Sequence, residues 1–304
     1  MARSTDDTFM SLPRCVLKGT TYLVTRRCLG RRFLLRPDPA LRSLFRYCLA
    51  RAVEEHGIEL HAVSVMSNHY HLVLTDQRGV LPDFMRTLNR GVAMGVKRLR
   101  DWDEVVWEPN VPYSAVALEG PQEVLDKVAY TLLNPVSAGL VRRPEHFPGL
   151  VSTLERLRKG KLEAERPTVW FKKTAPKRAT LRFCAPASFP DRTAYLDALK
   201  TLLQCRLRTL WVDHRRRGLG YVGASAVIRT PATARPKTRK TRFGRSPTFS
   251  ALTRARWTRA LERLRSFRRA YRAAYETWRS GERDVVFPRG SWWVVRFGGA
   301  QAAP

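Results

Sequence analysis

The sequence predicts an α+β protein. A ferredoxin-like antiparallel sheet, with helices on one face, fills the first half, and a basic, largely helical region with a flexible linker fills the second. Three observations carry this. Up to about residue 134, β-rich runs and amphipathic helical runs follow one another in the order β-α-β-β-α-β, plus a further helix. The β-rich runs alternate apolar and polar residues, the period expected of strands with one buried face. The charge also divides sharply: residues 1–150 hold 20 basic and 16 acidic side chains, and residues 151–304 hold 36 and 10.

The first strand is read at "TYLVTRRC", around residues 20–27. "RPDPALRSLFRYCLARAVEEHG" reads as a helix with Asp38 as N-cap, Pro39 in the first turn and Gly57 as terminator. Its apolar stripe is Leu41, Leu44, Phe45, Cys48, Leu49 and Val53. "IELHAVSVM" (58–66) and "HYHLVLTD" (69–76) form an antiparallel hairpin around Ser67-Asn68. Residues 80–100 are helical in pattern, with Phe84, Leu88, Val92 and Val96 in register and Gly91 and Gly95 as weak points. A short β-like piece at Val105–Trp107 supplies the last strand. "PQEVLDKVAYTLLN" (121–134) is the added helix, opened by Gly120-Pro121 and closed by Pro135.

Beyond residue 150 the texture changes. Residues 151–229 form a basic extension in which "RLRKGKLEAERPTVWFKKTAPKR" is loop-like and 191–217 is a helix. Residues 230–250, rich in Arg, Lys, Thr and Pro, read as a flexible linker. Residues 251–304 form a basic helical region, in which 254–283 carries Trp257, Leu261, Leu264, Phe267 and Tyr271 on one side. No internal repeat is visible.

The net charge of +30 over 304 residues attracts polyanions, of which nucleic acid is the common one. No apolar run reaches 18 residues, so no membrane span is expected. "MARSTDDTFMSLPRC" lacks the apolar stretch of a secretory signal. The five cysteines are scattered without a CxxC pair, which disfavours a zinc knuckle or a disulfide framework. A cytoplasmic protein is expected, nucleoid-associated if bacterial.

Two constellations could carry chemistry. On a strand His69 and His71 point one way while Tyr70, Leu72 and Leu74 point the other. Backbones about 6.5–7 Å apart let two imidazoles converge on one metal ion, although two surface histidines on a solvated strand fit the same pattern. Tyr130 and Asn134, four residues apart, share a helical face opposite Val124, Val128 and Leu132. A half-buried tyrosine with a wet hydroxyl gives the same pattern, and Asn134, preceding Pro135, also suits a helix end.

"VMSNHYHLVL" together with "YTLLNPVSAGLV" (130–141) resembles the IS200-like single-tyrosine transposases, in particular the REP-associated branch of the HUH endonuclease superfamily. "PRCVLKGTTYLVTRRCLGRRFLL" is similar to that family's first strand, and "VVFPRGSWWVVRFGG" to a segment of its long-form members. The resemblance covers residues 13–150. It implies an HUH endonuclease fold, His69 and His71 as a metal-binding pair, Asn134 as an amide ligand and Tyr130 as the nucleophile. Leu23 departs from the pattern where a histidine often stands, as does "VVWEPNVPYS" (105–114), where a run ending in Trp-Gln and basic residues is usual.

The chemistry so implied suits these residues. A divalent Mg²⁺ or Mn²⁺ ion on two imidazoles and an amide oxygen keeps positions for phosphate oxygens. A phenol with a pKa near 10 needs a neighbouring cation to become a nucleophile. Attack leaves a 5′-phosphotyrosine and a free 3′-hydroxyl, from which strands can be rejoined. The expected function is cleavage and rejoining of single-stranded DNA, hairpin-containing in this branch. Trp257, Trp278, Trp292 and Trp293 in the basic half suit base stacking. Arg26, Arg27, Arg31, Arg32, Arg86, Arg90, Arg215, Arg216 and Arg217 are the candidate DNA contacts. A domesticated, non-cleaving DNA-hairpin-binding protein is the first rival, and an RNA-binding protein, supported by charge alone, the second. Whether Tyr130 serves its own chain or a homodimer partner stays open.

Overall fold

The computed structural model describes residues 13–238 and 247–304. Its first part runs β1 (Thr20–Arg27), α1 (Pro39–His56), β2 (Ile58–Val65), β3 (His69–Asp76), α2 (Leu81–Arg100), β4 (Ser114–Leu118) and α3 (Pro121–Ser137). The second part runs α4 (Leu154–Lys159), β5 (Lys161–Glu165), β6 (Arg178–Arg182), α5 (Arg192–Arg216), α6 (Ala224–Arg229), β7 (Phe249–Ser250), α7 (Arg254–Arg279), β8 (Val286–Phe287), α8 (Trp292–Gly298) and β9 (Gln301–Ala302). The main sheet has the order β2-β3-β1-β4-β7, antiparallel except for the β4–β7 pair. This is the predicted α+β class with a helical C-terminal region.

Strand β3 lies between β2 and β1, and its alternation sorts the helices. Tyr70, Leu72 and Leu74 are fully buried on one face. The Tyr70 ring lies 5.2 Å from that of Phe45 on α1, and its hydroxyl donates to Asn89 Oδ1 on α2 at 2.7 Å. α1 and α2 therefore cover one face together, as expected. They meet closely: a Cβ on Gly95 would lie 2.4 Å from Leu44 Cδ1, and one on Gly91 3.3 Å from Cys48 Sγ. The two glycines that weaken the helical pattern are what let the helices touch. The added helix α3 lies on the opposite face, where the Tyr130 ring stands 5.2 Å from that of His71.

Local signals behave as read. The Asp38 side chain accepts from the Leu41 N–H at 2.9 Å, and Gly57 ends α1 in the left-handed region at φ 64°. α2 has no capping side chain at Val80; instead Asp76, the last residue of β3, accepts from the N–H groups of Arg78, Gly79, Val80 and Leu81. That carboxylate joins the strand carrying the histidines to the helix that packs beneath it.

The structure corrects three expectations. The last strand of the first half is Ser114–Leu118, pairing with Tyr22–Thr25, and not Val105–Trp107. Val106 and Trp107 are both buried but form no ladder with a neighbouring strand. Trp107 instead makes a single bridge to Cys28 and donates its indole N–H to the Asn89 carbonyl at 2.9 Å. Next, α3 continues through Pro135 to Ser137. Proline removes one donor, but the Ala138 and Leu140 N–H groups still close the last turn on the Asn134 and Pro135 carbonyls at 2.9 and 3.0 Å. Finally, the loop-like stretch after residue 155 contains α4 and β5, and β5 pairs with β6 in a hairpin against α1. Buried Leu157, Ala164, Ala179 and Leu181 hold it, too widely spaced among charges to show as a pattern.

The described flanks of the 230–250 segment are tied to the first half. Ala234 accepts from the Phe33 N–H, Thr248 from the Ala117 N–H, and Phe249–Ser250 add the fifth strand. Residues 239–246 of that segment lie outside the described residues. In the C-terminal region Phe267, Tyr271, Phe287 and Val294 form a second small core. Buried Glu123, at the start of α3, links to α7 by accepting from the Leu252 N–H at 2.6 Å and from Arg256 at 3.2 Å. Among the described residues no helix is long and apolar enough to cross a membrane.

Asp76→Ala leaves buried donors unpaired and uncaps α2, so a stability loss of about 3 kcal/mol is expected in urea unfolding, with less lost in Asp76→Asn.

Candidate active site

The end of β3 where it begins builds the site. In the β1–β3 register Arg27 lies opposite His69 and Thr25 opposite His71. On the other side Ser64 of β2 lies opposite His71. The two imidazole rings are 4.8 Å apart between centroids and nearly perpendicular at 81°. α3 crosses this face with Tyr130, 40% exposed, beside His71. Asn134, one turn further on and buried, hydrogen-bonds the Tyr130 hydroxyl through its side chain. The structure thus brings together all four residues that sequence reasoning assigned to the centre.

Hydrogen bonds orient the histidines. Asn68 uses its amide N–H₂ on the Arg31 carbonyl at 3.3 Å, so its oxygen is the atom that meets His69 Nδ1 at 2.7 Å. Nδ1 of His69 therefore carries the proton, and Nε2 keeps its lone pair. His71 Nδ1 lies 2.7 Å from Thr25 Oγ1, and a proton on that nitrogen frees Nε2 in the same way. Burial, then Arg27 and Arg31, brings the His69 pKa down to about 4. Burial, then His69 and Arg27, puts His71 well below its ordinary value. Both rings are neutral at pH 7, as metal ligation requires. Among the described residues no group of three His, Cys, Asp or Glu could hold a metal. Two imidazole nitrogens and the Asn134 amide oxygen are the donor atoms here that could hold a divalent ion. The Ser64 hydroxyl, buried opposite His71, has no partner among the described residues.

Tyr130 is pulled two ways. Burial raises its pKa, while the Arg27 guanidinium and the hydrogen bond from Asn134 favour the phenolate. Arg27 acts electrostatically on His69, His71 and Tyr130, so among the candidate arginines it belongs to the centre itself.

The other arginines scatter. Arg31 reaches the edge of the centre by its charge on His69, but hydrogen-bonds Thr238. Arg26 projects on the Tyr70 face and donates to the Val111 carbonyl at 2.7 Å. Arg32 lies 5.0 Å over the Trp102 ring. Arg86 pairs with Asp83 at 2.5 Å, and with exposed Arg90 it sits on α2, across the sheet from the histidines. Arg215, Arg216 and Arg217 are exposed at the end of α5, where neighbouring His214 approaches Gly139 just past α3. Thr25 and Asn68 escaped sequence reasoning. Asn68 stands next to His69 and could have been weighed; Thr25 becomes a neighbour only through strand register.

No protein-family model and no curated protein matches the chain. Among solved structures, a REP-associated tyrosine transposase bound to a REP hairpin is similar at 18% identity and a TM-score of 0.42, over 58% of this chain and 99% of its own. A protein from Deinococcus radiodurans R1 described as a transposase is similar at 22% identity and a TM-score of 0.28, over 35% of this chain and 85% of its own.

The folded pKa of His69 lies below its unfolded value of 6.5, so between about 6.5 and 4 the unfolded chain binds more protons. In metal-free protein the contribution of this group to stability is complete above pH 6.5 and declines as the pH falls toward 4. Histidine NMR titration should show His69 neutral at pH 5.5 with its proton on Nδ1; a midpoint near 6.5 contradicts the described environment.

Proposed function

We propose that the protein is a metal-dependent endonuclease and strand transferase of the single-tyrosine HUH transposase kind, acting on single-stranded, hairpin-containing DNA. The observation that carries this reading is the meeting of His69 and His71 of β3 with Tyr130 and Asn134 of α3 on one sheet face. The net charge of +26 beyond residue 150 supports a polyanionic substrate. Because Tyr130 stands beside the histidines of its own chain, this reading needs no homodimer partner.

His69 and His71, through Nε2, and the Asn134 amide oxygen would hold Mg²⁺ or Mn²⁺, and an ion bound there supplies Lewis-acid polarisation of a phosphate oxygen. The chain's own residues do the rest. Arg27 attracts the phosphodiester and offsets the charge of the Tyr130 phenolate. The phenolate oxygen attacks phosphorus. The tyrosyl O–P bond forms as the P–O3′ bond breaks, and the departing 3′ oxygen takes a proton from water. The phosphodiester bond energy is kept in the 5′-phosphotyrosine, so another 3′-hydroxyl can reverse the step and join a new strand. Asn68 holds His69 in the tautomer with Nε2 free, and Thr25 orients the His71 ring. Arg215, Arg216 and Arg217, at the α5 end near the close of α3, are the best-placed of the outlying arginines to meet incoming DNA.

Incubation with labelled single-stranded hairpin DNA and Mn²⁺ should give a covalent adduct that Tyr130→Phe abolishes. Formation should speed up as the pH rises through neutrality, because the raised Tyr130 pKa leaves little phenolate there. Adduct persisting in Tyr130→Phe removes the nucleophile assignment. Tight hairpin binding by the wild type with no adduct on any such substrate favours the non-cleaving binding protein. Arg27→Ala should slow adduct formation by about 10²-fold, with partial recovery in Arg27→Lys.

A further inference from the structure

On the Tyr70 side of the sheet, α1 and α2 leave part of β1 and β4 uncovered. Tyr22, Ala115 and Ala117 there face a cavity of ≈ 920 Å³ whose far wall is α7. Its charge is basic: Arg14, Lys18, Arg263, Arg268 and Arg289 line it against one acid, Glu119, already paired with Arg263. The Nε of Arg268 is buried with no hydrogen-bond partner among the described residues. A second cavity, of ≈ 640 Å³, adjoins the first and shares Arg14 and Tyr113 with it. Its lining is aromatic: Tyr113, Tyr271, Tyr275, Trp292 and Trp293. Trp293 is 58% exposed, and Tyr271 and Tyr275 stack at an interplanar angle of 10°. At the junction the Arg14 guanidinium lies 3.9 Å over the Tyr113 ring.

A basic track leading into an aromatic cleft with an exposed tryptophan is what single-stranded nucleic acid requires. Phosphates need cations along the path, and unpaired bases need flat apolar faces. A solvent-exposed tryptophan at the mouth of an aromatic cleft, in the half of the chain with a net charge of +26, answers both needs. The channel also leads back to the centre. β7 pairs with β4 only at Ala117 and Leu118, so the edge of β4 at Ser114–Val116 is not covered by β7. Ser114 lies opposite Thr25, which contacts His71, and Tyr113 precedes Ser114 in the chain.

We propose that this channel holds a segment of single-stranded DNA, with phosphates along Arg14 and Arg268 and bases stacked on Tyr275 and Trp293. It rests on the reading of the histidine–tyrosine centre as a single-strand DNA enzyme, and it gives that enzyme a second hold on its substrate across the β4 edge.

The test separates the two ideas by measuring binding without chemistry. Tyr130→Phe protein in EDTA is titrated against a fluorescein-labelled single-stranded oligothymidylate, followed by anisotropy. Adding Trp293→Ala should weaken binding by about fivefold or more, and Trp293→Phe should restore most of it. Adding Arg268→Ala should lower the slope of log affinity against log salt by about 0.7. Unchanged affinity and slope in both variants, with native circular dichroism, overturn the proposal. So does an equal loss by Trp293→Ala on duplex DNA, and so does tighter binding of oligouridylate than of the DNA. No metal or nucleophile enters this assay, so failure of the wild type to form an adduct would refute the chemistry and leave the channel's result standing.

Discussion

The register of one strand governs the molecule. Tyr70, Leu72 and Leu74 are fully buried against α1 and α2, and the strand period of two then places His69 and His71 on the other face. A slip by one residue would take three large side chains out of their packing against α1 and α2, where burial of each is worth roughly 1.5–3 kcal/mol, and drive two imidazoles into an apolar core. β3 is paired on both sides, so neither neighbour can shift alone. The position of the histidines is thus set by packing on the face they do not occupy, and α3 has only to lay Tyr130 and Asn134 across the remaining one.

The same placement sets the electrostatics. β1 runs antiparallel to β3, so its last residue, Arg27, meets the first of β3, His69. Burial first, and then the fixed cation there, disfavours imidazolium and keeps the ring nitrogens neutral. The cation also favours the phenolate form of Tyr130 against the burial that opposes it. One side chain thereby acts on both histidines and on the tyrosine. Asn68 and Thr25 meet the Nδ1 atoms of the two rings, at 2.7 Å each.

Features resting on local physics were legible in the sequence. Asp38, Pro39 and Gly57 bound α1 because caps and left-handed turns act within one turn of helix. The hairpin at Ser67-Asn68 and the pairing of Tyr130 with Asn134 follow from strand and helix periods alone. What the sequence hid depends on partners far along the chain. Trp107 looked like a strand residue, and only the buried Tyr70 and Asn89 beside it show why it is a plug. Leu157, Ala164 and Leu181 are spaced too thinly to reveal a hairpin until α1 supplies the surface they cover. Arg27 was legible as a cation and Thr25 not at all, because their roles come from cross-strand register. Pro135 shows the reverse error: a strong local rule outweighed by the turn that follows it.

The proposed chemistry turns on two neutral imidazoles of β3 beside Tyr130. Pulsed electron paramagnetic resonance of Mn²⁺ added to the protein tests this most directly. Coupling to two imidazole nitrogens is expected, falling to one when either His69 or His71 is replaced by alanine. Mn²⁺ surrounded by oxygen alone, or nitrogen couplings indifferent to both replacements, would contradict it.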